Sequence, residues 1–147
     1  MTILDDIVEK TLLRVEQQKK LIPLNELKNN LNILPKRNLS EVFQKDKTNI
    51  ISEIKFSSPS EGVIREGSKE NAKTIAKQYL DNNASALSIL TEPDYFSGSV
   101  EYLKEVRENF SNSFILQKDF FVDEYQFYQA NVIKSSSVLL IVSILGL

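Results

Sequence analysis

Apolar residues recur along this chain in two rhythms. Ile3, Leu4, Ile7, Val8, Leu12 and Val15 keep the three-to-four-residue spacing of one helical face, with Thr2 placed as N-cap, acidic residues in the first turn and Pro23 stopping the run. Leu24, Leu27 and Leu31 predict a short second helix before Asn32–Arg37, and Ser40–Lys45 a further helical turn. The rhythm changes at Ile50. Ile50, Ile51, Ile54 and Phe56 favour a pleated, buried surface, and Ser57-Ser58-Pro59-Ser60 breaks the extended run. A helix capped by Ser68 follows, carrying Ala72, Ile75, Ala76, Tyr79 and Leu80 and ended by Asn82-Asn83 in the left-handed conformation. Ala86–Leu90 is a second strand closed by Thr91–Asp94, and Val100, Leu103, Val106 and Phe110 mark the next helix. Phe114–Lys118 is a third strand, Asp123 caps a third helix, and Val138–Ile144 reads as a fourth strand.

Alternating short strands and amphipathic helices imply parallel strands joined by right-handed crossovers, with both faces of the sheet covered. Neither a Gly-x-Gly-x-x-Gly turn nor a P-loop points to a nucleotide fold. Polar residues at successive strand ends point instead to a barrel: Glu53 and Lys55, then Thr91 and Glu92, then Lys118 and Asp119. The expected fold class is therefore α/β, of the (β/α)8 TIM-barrel type. It reads as one incomplete domain, with a helical extension over residues 1–47 and strands one to four with their helices over 48–147. The run stops after the fourth strand, which makes a half-barrel. Glu53 and Lys55 sit two apart in a strand and so share a face, either as an ordinary ion pair or as a charged site.

Composition narrows the chemistry. With 147 residues, 41% hydrophobic and 26% charged, the chain has ordinary globular make-up. A net charge of -2 with interleaved signs leaves no basic stripe for nucleic acid. Cysteine is absent, which removes disulfides and thiolate chemistry, and so is histidine. A general acid or base must then be Glu, Asp, Lys or Tyr, which draws attention to Glu53 and Lys55. Asp5 and Asp6 stand where a signal peptide needs positive charge, so a cytoplasmic location is expected. The apolar run Val138–Leu147 is about half of the ~20 residues a membrane helix requires and reads as a buried strand. Lys19 and Lys20 are assigned to the helix dipole and solvation.

Four motifs occur in order. They are Glu53-Ile54-Lys55-x-x-Ser58-Pro59-Ser60-x-Gly62-Val63-Ile64, Ser88-Ile89-Leu90-Thr91-Glu92-Pro93-Asp94-Tyr95-Phe96-x-Gly98-Ser99, Leu116-Gln117-Lys118-Asp119-Phe120 and Leu139-Leu140-Ile141-Val142. Together with Ile3–Val8 and Pro23–Leu27 in the extension, they resemble indole-3-glycerol phosphate synthase along essentially the whole chain. The resemblance implies a (β/α)8 barrel of tryptophan biosynthesis, a carboxy-lyase that cyclises and decarboxylates 1-(2-carboxyphenylamino)-1-deoxyribulose 5-phosphate, a sugar phosphate, without cofactor or metal. By resemblance, Lys118 is the general acid, Glu53 and Lys55 are further catalytic residues, and Ser58, Phe96 and Phe120 bind substrate.

Two departures stand out. Where the family ends its third helix with Gly-Ala-Asp-Ala or similar, this chain has Lys134-Ser135-Ser136-Ser137, so a strained or reorganised turn is expected there. The family's fifth-strand glutamate, sixth-strand Asn-x-Arg and phosphate loops have no counterpart in these residues. A complementary C-terminal half-barrel chain, or self-association, is accordingly the expected partner. An inactive half-barrel scaffold is the alternative, while phosphoribosylanthranilate isomerase conflicts with the Glu53-x-Lys55-x-x-Ser58-Pro59-Ser60 motif.

Overall fold

The computed structural model describes residues 2–33 and 38–146. The predicted break over Asn32–Arg37 lies partly outside them. The chain begins with α1 (Ile3–Leu21), α2 (Leu24–Asn29) and α3 (Leu39–Val42), followed by β1 (Ile51–Ile54) and a small hairpin of β2 (Ser57–Ser58) and β3 (Gly62–Val63). It continues through α4 (Lys69–Asp81), β4 (Ala86–Leu90), α5 (Pro93–Phe96), α6 (Val100–Asn109), β5 (Ile115–Lys118), α7 (Glu124–Val132), β6 (Ser137–Val138) and α8 (Val142–Leu145). Four strands pair in parallel in the order β1-β4-β5-β6, the order in which they follow one another along the chain.

Helix starts are set by the capping residues. Thr2 and Asp5 form a capping box on α1, Asp123 and Gln126 form one on α7, and Ser68 Oγ accepts from Asn71 N at 3.0 Å to open α4. Each such cap is worth about 1 kcal/mol. Asn83 turns the chain out of α4 at φ 65°, as its sequence position predicts. Ile54, Phe56, Leu87, Ile89 and Ile115 of the sheet side meet Ala72 and Ala76 of α4 and Leu103 and Val106 of α6 in the main core. Alanine at those two α4 positions allows close approach of helix to sheet, and β4 is buried along its whole length.

The extension packs elsewhere. Val15 of α1 and Leu27 of α2 enclose Tyr125 of α7, whose hydroxyl donates to the Gln18 and Ile22 carbonyls at 3.2 and 3.0 Å and so satisfies the end of α1. Ile7, Thr11 and Val15 form the buried stripe of α1, whereas Ile3 and Leu12, predicted on the inward face, are exposed. Lys19 lies in the last turn of α1, where it meets the helix dipole as expected, but it also pairs with Asp123 at 2.7 Å and ties α1 to the start of α7. Among the described residues no helix is long and apolar enough to cross a membrane.

The fourth strand departs from expectation. Only Ser137–Val138 pair, and from Val142 the chain winds into a short helix with Leu140 and Val142 exposed. Among the described residues β6 has a neighbour on one side only, β5, and the ladder ends at Gln117↔Val138. An apolar run without alternation has nothing to fix it as an extended edge once its ladder stops. The turn before β6 behaves as its missing glycine implied. Lys134 occupies the left-handed region at φ 59°, with Ser135 N closing onto the Ala130 carbonyl at 2.9 Å.

Lys134→Gly is expected to raise stability by roughly 0.5–1 kcal/mol, because a side chain in that region costs more than glycine's extra freedom in the unfolded state. A denaturant midpoint that rises with unchanged m-value checks it. The sheet's open edge yields a second expectation. The isolated 147-residue chain should self-associate, and a sharp monomeric peak across a concentration series in analytical ultracentrifugation would contradict it.

Candidate active face

The carboxyl ends of β1, β4 and β5 bring the charged residues together. Register places Glu53 beside Ser88 and Leu90 beside Lys118, so Lys118 starts one pleat above Glu53 and two strands away. Its long side chain crosses β4, and Lys118 Nζ donates to Glu53 Oε2 at 2.7 Å. Ser88 Oγ donates to the same oxygen at 3.4 Å. The pair faces the side of the sheet away from α4 and α6 and is partly open, with side chains 38% and 32% exposed.

Glu53 thus takes Lys118 as its ion-pair partner, and the ordinary Glu53–Lys55 pair weighed from spacing is not the one formed. Lys55 lies just past the last residue of β1 and pairs with Glu61 in the following hairpin at 3.1 Å. That hydrogen bond and charge, with a further bond from Ser58 Oγ, hold the Glu61 carboxyl below the usual range. Ser58 is buried. Its hydroxyl donates to Glu61 Oε2 at 3.2 Å and accepts from Glu61 N at 3.1 Å, so it shapes the hairpin whose Glu61 pairs with Lys55. Phe96, at the end of α5, and Phe120, after β5, are half-buried with ring centroids 6.1 Å apart. Of the six residues singled out, Glu53 and Lys118 are in direct contact, Lys55 and Ser58 share one carboxylate, and the two rings form a third group.

A second cluster was not anticipated as one. Glu92 is fully buried, and its carboxylate accepts from the backbone N–H groups of Asp94, Tyr95 and Phe96 at 2.8–3.1 Å. Asp119 accepts from Thr91 Oγ1 at 2.6 Å and from Phe120 N at 2.9 Å. Arg14 of α1 reaches both acids, with Glu92 Oε1 at 3.3 Å and Asp119 Oδ1 at 3.2 Å, and also meets Asp94 at 3.1 Å. Burial pushes the Asp119 carboxyl above its ordinary range, with Glu92 adding to the rise, against the pull of Arg14 and the bonds from Thr91 and Phe120. Thr91, Glu92 and Asp119, read from sequence as active-face residues, therefore hold the loops rather than face the Lys118 side. Gln117 Nε2 extends the network to Thr91 Oγ1 at 3.1 Å, while its Oε1 has no hydrogen-bond partner among the described residues.

A cleft of about 680 Å³ opens at the other end of the strands, lined in part by Asn32, Arg107, Ile133 and Lys134. Arg107 there donates to the carbonyls of Lys134, Ser111 and Ser113, so its charge is spent on closing turns. The convergent charges lie at the carboxyl ends.

A parallel β/α sheet with its ionisable groups at the carboxyl ends of consecutive strands defines the first half of a (β/α)8-barrel enzyme face. The comparisons specify which. A family model described as indole-3-glycerol phosphate synthase matches residues 4–147, and the chain belongs to that family. It is 48% identical over 145 residues to the indole-3-glycerol phosphate synthase of Clostridium acetobutylicum, covering 97% of this chain and 54% of the relative. Thermoanaerobacter sp. and Campylobacter fetus have proteins of the same name at 42% and 45% identity, each covered over 54% of its length by 98% and 95% of this chain. The chain spans about half the length of these curated relatives.

Gly98 is the backbone position on which the β4 loop closes, its N–H donating to the Glu92 carbonyl at 2.8 Å. A Cβ there would lie 2.6 Å from the Leu90 carbonyl oxygen and 2.7 Å from that of Glu92, both backbone atoms. Gly98→Ala should therefore destabilise the fold by about 1–3 kcal/mol and displace Phe96, read as a lowered melting temperature and a shifted Phe96 ring spectrum.

Proposed function

We propose that this chain supplies the acid-bearing half of an indole-3-glycerol phosphate synthase site, acting on 1-(2-carboxyphenylamino)-1-deoxyribulose 5-phosphate to form indole-3-glycerol phosphate, carbon dioxide and water. The observation that carries the reading is the Lys118–Glu53 pair, 2.7 Å apart and facing the open side of the sheet. A protonated Lys118 polarises the ribulose carbonyl as the ring closes and then assists loss of the hydroxyl, the electrostatic task left to lysine in a chain without histidine. Glu53 offsets the charge of the two ammoniums on this face. Lys55, between β1 and the hairpin, meets anionic substrate groups, and Ser58 helps hold the substrate carboxylate. Phe96 and Phe120 wall the anthranilate ring, for which their 6.1 Å separation and half-buried faces are suited. No cofactor takes part in this scheme. The phosphate loops come from a complementary C-terminal half-barrel that closes the sheet.

The test is an assay for indole-3-glycerol phosphate, on the chain alone and mixed with a C-terminal half taken from a relative. Activity is expected only in the mixture. Within it, Lys118→Met keeps most of the side-chain volume but no proton, and turnover should fall by roughly 10² or more. Lys55→Met should act mainly on KM, the mark of an interaction made equally in ground and transition states. Near-normal turnover for Lys118→Met at saturating substrate would remove the acid assignment. A folded mixture without activity would leave the inert half-barrel as the better account.

A further inference from the structure

We propose that Arg14 is a positioning residue for this reaction: it clamps the loop after β4 to the loop after β5 and so sets the spacing of Phe96 and Phe120 beside Lys118. The inference rests on the functional reading above, but its evidence is independent of the Lys118–Glu53 pair. Arg14 belongs to the extension, not to the barrel half, and its guanidinium is the cation that joins the two loops. One terminal nitrogen meets Glu92 at 3.3 Å and Asp94 at 3.1 Å, and the other meets Asp119 at 3.2 Å and the Thr11 hydroxyl at 3.4 Å. A planar fork presents its two terminal nitrogens to carboxylates on opposite sides, a geometry that a lysine's single ammonium does not reproduce.

Two of the three carboxylates held by Arg14, Glu92 and Asp119, each hold an aromatic wall in turn. Glu92 accepts from Phe96 N at 3.1 Å, and Asp119 accepts from Phe120 N at 2.9 Å. A continuous chain of charge-assisted bonds therefore runs from Phe96 through Glu92, Arg14 and Asp119 to Phe120, the residue two beyond Lys118. The other groups facing the cluster are Thr91 and Gln117 within it and Lys10, whose ammonium sits 4.7 Å from the Tyr95 ring centroid. A small cavity of about 130 Å³ lies alongside, lined by Arg14, Gln18, Thr91, Gly98 and Asp119 among others. Pinning both loops from a helix outside the sheet fixes the substrate walls without placing Arg14 against substrate.

Hydrogen exchange in the 147-residue chain, followed residue by residue, tests the clamp. Arg14→Ala should speed exchange at least tenfold at the amides of Asp94, Tyr95, Phe96 and Phe120, while Leu87 in the core keeps its rate. Added methylguanidinium, which fits the vacated slot, should restore part of that protection, and ammonium should not. In the closed barrel the same variant should lose roughly 10- to 10²-fold in kcat/KM. If Arg14→Ala does not fold, Arg14→Lys, which keeps the charge but not the fork, is read in the same way. Unchanged loop exchange, or an equal rise at Leu87, overturns the clamp. A wild-type closed barrel without synthase activity overturns the functional reading instead, and the exchange pattern still decides whether Arg14 joins the loops.

Discussion

The parallel register of β1, β4 and β5 is the constraint on which the rest of the site depends. Glu53 stands opposite Ser88, and Lys118 opposite Leu90, so the two charges are separated by one strand and one pleat. Of the two β4 residues on that face, Leu90 stands beside Lys118 and Ser88 beside Glu53, where the lysine's ammonium arrives. Serine at position 88 leaves the path open and adds a hydroxyl to Glu53, whereas a leucine there would fill it. A one-residue slip in either pairing would send Glu53 or Lys118 to the helix-covered face, where an unpaired charge is costly. The apolar residues Ile54, Leu87, Ile89 and Ile115 prevent that slip by demanding the opposite face. Packing against α4 and α6 thus decides where the ionisable groups point.

How much of this could be read from the sequence follows from the range of each interaction. Caps are local, and Thr2, Ser68, Asn83 and Asp123 act where the sequence places them. Strand positions follow from short apolar runs, and the charged strand ends follow from period two. The Arg14 clamp joins residues 78 and 105 positions apart, and nothing in the spacing of α1 distinguishes Arg14 from its solvated neighbours. The tertiary partner of Lys19 is hidden for the same reason, since Asp123 lies 104 residues away. Leu12 was placed inside because an averaged helical stripe cannot tell it from Thr11, which tertiary contact buries instead.

The end of the sheet failed for a different reason. Val138–Ile144 has strand-like composition, but a strand is a relation between neighbours rather than a property of one segment. With β5 on one side and no described strand on the other, the pairing stops at Val138, and Leu140 and Val142 beyond it stay exposed. The preceding turn shows the converse. Lys134 takes a conformation that glycine occupies more cheaply, and it is held there by the Ser135–Ala130 closure and by Arg107 bonding its carbonyl at 3.0 Å. Local preference yields where several hydrogen bonds converge on one geometry.

The openness of the sheet bears directly on the proposed chemistry. At 38% and 32% exposure, Lys118 and Glu53 touch directly but are screened by solvent, which leaves such a pair worth about 1 kcal/mol or less. Preorganised charges lower a barrier strongly only when solvent is excluded, since the same groups act severalfold more strongly at the effective dielectric of a protein interior. The strands that would complete the barrel matter for more than their own substrate contacts. By covering the inner face they would desolvate the Lys118–Glu53 pair and make Lys118 an effective electrostatic group for a developing negative oxygen. On this reading the half described here already aligns the acid and its walls, with Arg14 fixing the latter from outside, and closure supplies the low-dielectric surroundings that give the alignment its force.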